Sequence, residues 1–189
     1  DRSPSRGLGD VYKRQILLCC GCSKNEARRP VNPRPSSTLF SETVETSKAL
    51  NAQEVEQILM YIDKDIAQTY EVSKNGFWYV YQNKIQDNSP LPEYGDEVLL
   101  EYNITDLQGS VLYSKESLGV KKYKIDKEDF ISGLQKGIKL MKVGEIITFV
   151  IPSYYAFGIA GDGNKIEVNQ TIKSTVKLLN IKKNKDENN

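Results

Sequence analysis

The apolar residues of this chain change their period at Gly76, and that change limits what the chain can fold into. Before it, Val55, Ile58, Leu59, Ile62 and Ile66 recur at steps of three and four, the single stripe of an amphipathic helix. Glu56, Lys64 and Gln68 lie opposite. After Gly76 the period is two. Val98, Leu100, Tyr102 and Ile104 alternate with Leu99, Glu101 and Asn103, and Ile147, Phe149 and Ile151 alternate with Ile146, Thr148 and Val150. Residues 171–181 place Ile172, Val176 and Leu178 on one face and Lys173 and Lys177 on the other. Residues 77–82 (FWYVYQ) read as an aromatic strand, and a turn opened by Gly109 leads into Val111, Leu112 and Tyr113. Residues 130–141 (FISGLQKGIKLM) read as one short helix among them. Five antiparallel strands and a single short helix make an α+β domain, preceded by a helical segment.

At 189 residues the chain has room for one ordinary domain and an appendage. Lys+Arg is 26 and Asp+Glu is 25, a net charge of +1, which gives no electrostatic case for nucleic acid as a partner. The chain contains no histidine. That excludes Ser-His-Asp and Cys-His nucleophilic catalysis, histidine general bases and histidine zinc sites. Tyrosine is abundant, at 11 residues, and suits half-buried strands and apolar clefts with one wet end.

The expected boundaries follow from composition. Residues 1–15 (DRSPSRGLGDVYKRQ) are polar and aperiodic, resemble translated adapter sequence, and are set aside as an assembly scar. Residues 16–22 are apolar and hold all three cysteines, Cys19, Cys20 and Cys22. Cysteines this close cannot staple a fold, and a redox or metal pair of Cys19 and Cys22 lacks further ligands. The run ends in Gly21 before Cys22 and resembles the end of a bacterial lipoprotein signal, with Cys19 and Cys20 where Leu and Ala or Ser are usual. Cys22 is then the acylated residue and membrane anchor. Residues 23–38, with Pro30, Pro33 and Pro35, read as an extended linker. Residues 39–75 are the helical segment, with Asn51 and Glu54 spaced as a capping box and Lys74-Asn75-Gly76 as its stop. The helical stripe needs cover, from the following domain or, as the alternative, from a homodimer. Residues 76–182 form the domain and 183–189 a solvated tail.

Within the domain an ordered set of short motifs resembles a known family. Glu101-Tyr102, Gly109, residues 130–137 (FISGLQKG), residues 141–145 (MKVGE) and residues 151–158 (IPSYYAFG) fall in the order and spacing of the FKBP-type peptidyl-prolyl cis-trans isomerases. The resemblance implies a twisted antiparallel sheet wrapped on one short helix, rotation of X-Pro bonds as the activity, proline-containing polypeptides as clients, and no metal or cofactor. The lipoprotein-like start with residues 26–30 (EARRP) is similar to gliding-motility lipoproteins of the GldI type of Bacteroidetes, which implies a lipid-anchored folding helper in the bacterial envelope, facing the periplasm.

The same resemblance assigns roles. Tyr102 lines the proline pocket, the Ile131 backbone N–H meets the substrate carbonyl, and Phe157 stands at an aromatic that bears a hydroxyl in many members. Leu112, Tyr113, Tyr123, Phe130, Leu134 and Ile166 complete the substrate-binding set. Five positions depart from the pattern: Leu112-Tyr113 replaces a Phe-Asp pair, Leu134 a tryptophan, Ser174 an aromatic, and Phe157 lacks the hydroxyl. The acidic residue that would orient the amide is therefore missing from its usual place. A non-catalytic binding or chaperone module is the alternative that these departures support. Gly158, Gly161 and Gly163 with Asp162 match neither a nucleotide fingerprint nor a full calcium loop, and read as a plain flexible loop. Asp126, Glu128 and Asp129 are expected to stabilise the start of the short helix.

Overall fold

The computed structural model describes residues 37–184. The expected scar, the lipoprotein-like segment with Cys22 and nearly all of the linker lie outside the described residues. Chain contacts divide the protein into Asp1–Ser41 and Glu42–Asn189, and the described part of the first is the opening of a helix. In chain order the elements are α1 (Ser37–Lys64), β1 (Glu71–Val72), β2 (Trp78–Asn83), β3 (Glu97–Tyr102), β4 (Ile104–Thr105), β5 (Val111–Tyr113), α2 (Lys115–Leu118), β6 (Lys121–Lys124), α3 (Ser132–Ile138), β7 (Ile146–Ile151), a 3-10 turn (Ser153–Tyr155) and β8 (Ile172–Lys182).

The strands form one antiparallel sheet in the order β1-β2-β7-β8-β3-β6, with β4 pairing both β5 and β8. The alternation read from the sequence sets the register. Ile147, Phe149 and Ile151 oppose Val176, Ser174 and Ile172 on neighbouring strands, and all six are buried. With Val98, Leu100, Tyr102 and Leu178 they cover α3, which contributes Leu134 and Ile138. Ser174 sits in this core with its hydroxyl donating to the Asn103 carbonyl at 2.7 Å, so the polar group has a partner.

Helix α1 covers the other face of β2 and β7. Ile58 is fully buried in a second cluster with Trp78 and Val150, flanked by Val55, Tyr61 and Ile62. Burial of one such isoleucine contributes about 1.5–3 kcal/mol. The stripe therefore packs on the domain, and this explains why Val150, on the outward face of β7, is apolar.

Several expected boundaries move. The helix begins at Ser37 and ends at Lys64, where Asp65 N–H turns back to the Ile62 carbonyl at 3.1 Å. Leu59 and Ile66 match the period yet stay exposed. Asn51 and Glu54 lie inside the continuous helix and form no capping box. Lys74-Asn75-Gly76 is the turn of the β1–β2 hairpin, with Gly76 at φ +79° and its N–H donating to the Ser73 carbonyl. β6 escapes the period-two reading because only Tyr123 of its four residues points inward. The other three are lysines, a composition that protects a sheet edge from further pairing. The tail is tied at its start: Lys183 Nζ lies 2.9 Å from Asp96 Oδ2, and Asn184 N–H donates to Asp96 Oδ1 at 2.9 Å.

Candidate functional site

Where β3, β4 and β5 bend over the start of α3, the sheet leaves a cleft of about 490 Å³. Its walls are Tyr102, Ile104, Tyr113, Leu118, Phe130, Ile131 and Phe157, with Lys121, Asp129 and Asp162 among them. Tyr102 and Phe130 meet edge to face, centroids 5.4 Å apart. Burial pushes the Tyr102 phenol above its ordinary pKa. Ile131 occupies the N-cap of α3, and its carbonyl accepts from Gln135 N–H at 2.9 Å. Its own N–H has no hydrogen-bond partner among the described residues. A second groove, of about 390 Å³, lies on the opposite sheet face along Glu101, Asn103, Thr175 and Lys177 and holds none of the expected site residues.

Five of the nine expected site residues thus share one cleft: Tyr102, Tyr113, Phe130, Ile131 and Phe157. The other four do not form its wall. Tyr123 is fully buried behind Phe130, ring centroids 5.3 Å apart, and its hydroxyl accepts from Asp126 N–H. Leu134 is fully buried in the main core. Leu112 packs at the margin of that core. Ile166 is buried in the core, and its N–H donates to Asp162 Oδ1 at 2.8 Å. Tyr123, Leu134 and Ile166 belong to the core on which Phe130, Ile131 and Phe157 pack.

Asp162 was not expected here. Its Oδ1 accepts the backbone N–H groups of Asn164, Lys165 and Ile166 at 2.8–2.9 Å, and its Oδ2 accepts the Tyr113 hydroxyl. Burial pushes the Asp162 carboxyl up, but these donors, led by Tyr113, outweigh it and bring the pKa down to about 2. Tyr113 shifts up, chiefly because its proton is held by Asp162. Asn164 Nδ2 donates to the Tyr113 oxygen at 3.2 Å, and Lys165 Nζ lies 5.1 Å from the ring centre. The glycine-bearing segment is therefore an ordered Asx-type turn, built on Asp162 followed by Gly163 and Asn164. The carboxylate absent from β5 arrives from this loop, and the tyrosine standing in its place anchors it.

That geometry changes one expectation and supplies another. Tyr113→Asp, the substitution that would restore the family pattern, sets a second carboxylate against Asp162 and is expected to disorder the loop. Tyr113→Phe removes one donor, so the Asp162 carboxyl is expected to titrate above about 2, toward the ordinary value of about 3.9. Because the folded-state value is depressed, the loop's stabilisation is complete above the unfolded value and is lost as pH falls through about 2. Carboxyl-detected NMR titration of both proteins checks it; identical midpoints would remove Tyr113 from the account.

The acidic residues before α3 do not cap it. Asp126 pairs with Lys139 at 2.7 Å, Glu128 accepts from Lys124 N–H, and Asp129 lies on the cleft.

Comparison with known proteins agrees with this geometry. A family model described as FKBP-type peptidyl-prolyl cis-trans isomerase matches residues 89–179. Over 101 residues the chain is 33% identical to the probable FKBP-type peptidyl-prolyl cis-trans isomerase FkpA of Neisseria meningitidis serogroup B, covering 53% of this chain and 37% of that protein. It is 31% identical over 100 residues to the human peptidyl-prolyl cis-trans isomerase FKBP9, covering 52% of this chain and 17% of that one. The chain thus spans well under half the length of these relatives. The fold is that of the Escherichia coli FkpA crystal structure, with a TM-score of 0.58 and 21% identity over 94% of this chain and 84% of that one. It is also that of a peptidyl-prolyl cis-trans isomerase from Pseudomonas syringae pv. tomato, with a TM-score of 0.57 and 19% identity over 72% of this chain and 96% of that one. Sheet, helix and cleft define an α+β domain built around an aromatic pocket. Residues 89–179 are thus similar to the FKBP-type peptidyl-prolyl cis-trans isomerase family.

Proposed function

We propose that the cleft rotates X-Pro peptide bonds of polypeptide clients. The observation that carries this is the convergence of Tyr102, Phe130, Ile131 and Phe157 on one apolar hollow. Rotation about an X-Pro bond connects two isomers that differ by only about 1 kcal/mol, across a barrier that holds exchange to tens of seconds or longer. The amide at mid-rotation has lost its resonance and has a less polar carbonyl. A site that strips water and offers apolar walls binds that state better than either planar form, and this difference in binding is the catalysis. Tyr102, Phe130 and Phe157 supply the walls, and the free Ile131 N–H is the donor for the carbonyl oxygen. No nucleophile, metal or cofactor takes part. Asp162, whose oxygens are held by Tyr113 and by its own loop, lines the cleft as a fixed negative charge.

The direct test is refolding of a proline-limited substrate with catalytic amounts of the full chain. Acceleration is expected; the uncatalysed rate at every enzyme concentration would contradict the reading. A non-catalytic binding module on the same fold is the second reading, favoured by two observations: the Tyr113 proton is already committed to Asp162, and Phe157 has no hydroxyl. Client binding without acceleration would select it.

The setting is likewise proposed. Residues 16–22 support acylation of Cys22 and a place on the periplasmic side of a bacterial envelope membrane, and no helix among the described residues is long and apolar enough to cross one. Loss of acyl mass in Cys22→Ser is the check. Work in gliding motility is supported by the resemblance of residues 22–30 alone. A homodimer through α1 would form on residues such as Leu59 and Met60, which the sheet leaves exposed; sedimentation decides it.

A further inference from the structure

We infer that Glu54, on helix α1, is a positioning residue for the cleft: its carboxylate clasps both roots of the loop that carries Phe157 and Asp162. The inference rests on the reading of the cleft as the isomerase site, and deepens it.

Glu54 is buried beneath the turn of α1 that precedes Val55 and Ile58. Its Oε1 accepts the Ser153 backbone N–H at 2.6 Å and also the Thr171 hydroxyl. Its Oε2 accepts the Ser153 hydroxyl at 2.8 Å. Ser153 opens the 3-10 turn just after β7 and Thr171 immediately precedes β8, so residues 154–170 leave and rejoin the sheet beside this one carboxylate. That segment holds Phe157, Asp162 and Ile166.

Ser153 continues the connection toward the cleft. Its carbonyl accepts the N–H of Ala156 and the N–H of Gly158, both at 2.8 Å, so Phe157 is held between two amides bonded to one oxygen. Asn169 N–H then closes on the Gly158 carbonyl at 2.9 Å, and Asp162 N–H on the Ile166 carbonyl at 3.1 Å. Orientation passes from Glu54 to Ser153, and from Ser153 to the backbone on each side of Phe157.

The choice of residue is informative. Docking α1 on the sheet needs only apolar side chains, and Val55, Ile58 and Ile62 provide them. A buried carboxylate costs desolvation and is tolerated where donors are fixed around it. Here three donors come from the two loop roots. The same bonds explain the failed capping-box reading of Asn51 and Glu54: the carboxylate turns away from its own helix and onto the domain.

The experiment compares the full-length wild type with Glu54→Ala, Glu54→Gln and Val55→Ala. The last loosens α1 against Trp78 and Val150 without touching either loop root. Three quantities are read: amide exchange of residues 156–170, affinity for an Ala-Pro-Phe peptide by NMR titration, and urea stability. In Glu54→Ala, exchange at Gly158, Ile166 and Asn169 is expected to rise by about tenfold more than at the β7–β8 amides, and peptide affinity to fall by about fivefold. Glu54→Gln keeps one acceptor oxygen and is expected to recover part of both. Val55→Ala lowers urea stability while loop exchange stays with the sheet. If Val55→Ala and Glu54→Ala change loop exchange and affinity alike, or if Glu54→Ala changes neither, the inference is overturned. If the wild type binds no proline peptide, the isomerase reading fails, while the exchange arm still decides whether Glu54 orders the loop.

Discussion

Alanine at both Gly133 and Gly137 is expected to lower the stability of the domain by about 2–6 kcal/mol, a large share of what holds it folded. Inside a helix, glycine to alanine ordinarily gains about 1 kcal/mol. Here the sign reverses, because α3 lies against the sheet with no room between. A Cβ on Gly133 would stand 2.5 Å from Ile151 Cγ2, and one on Gly137 would stand 2.6 Å from Phe149 Cε1. Neither neighbour can yield. Ile151 and Phe149 are fully buried, and Phe149 is wedged against Phe77 with centroids 5.8 Å apart. Overpacking costs about 1–3 kcal/mol at each site, and domains of this size hold about 5–15 kcal/mol in total. Urea melts of the single and double variants measure it. A gain in stability for either single variant would show that α3 sits higher above the sheet than described.

The second large effect concerns the cleft. Phe157→Ala combined with Tyr102→Leu is expected to reduce kcat/KM for a proline peptide by about a hundredfold, roughly tenfold for each wall lost. Tyr102→Leu keeps an apolar side chain at a buried strand position, so the fold survives and the loss reads on the cleft. Phe157 lies in the loop outside the main core, and its removal opens one wall to water. Both walls must favour the half-rotated amide over the planar forms for the account to hold. Unchanged turnover in the double variant, with circular dichroism intact, would mean that the reaction, if any, occurs elsewhere.

The sheet was legible because burial on one face imposes a period of two, and β2, β3, β7 and β8 each carry it. β6 was not legible, since three lysines and one tyrosine give no alternation to read. Ile66 shows the converse: it continues the helical period but lies past Lys64, where the chain has already turned. The cleft was legible through Tyr102, Phe130, Ile131 and Phe157 by resemblance to a family. The substitution at Tyr113 read as a loss, because the compensating carboxylate is remote in sequence and meets it only in the folded chain. The Asp-Gly-Asn pattern at residues 162–164 was the available signal for an ordered turn. Glu54 was hidden for a different reason. Its spacing from Asn51 satisfies a local rule, and nothing in the sequence distinguishes a carboxylate bonded within its helix from one bonded to Ser153 and Thr171.

Two-dimensional exchange NMR on a short X-Pro peptide, with and without the full-length protein, tests the central claim most directly, since it observes bond rotation without any folding substrate. The account predicts cis–trans exchange cross-peaks at sub-stoichiometric protein, on a timescale far shorter than the tens of seconds of the free peptide, and their disappearance in the Tyr102→Leu, Phe157→Ala variant. Exchange at the free-peptide rate in the presence of folded wild-type protein would contradict it.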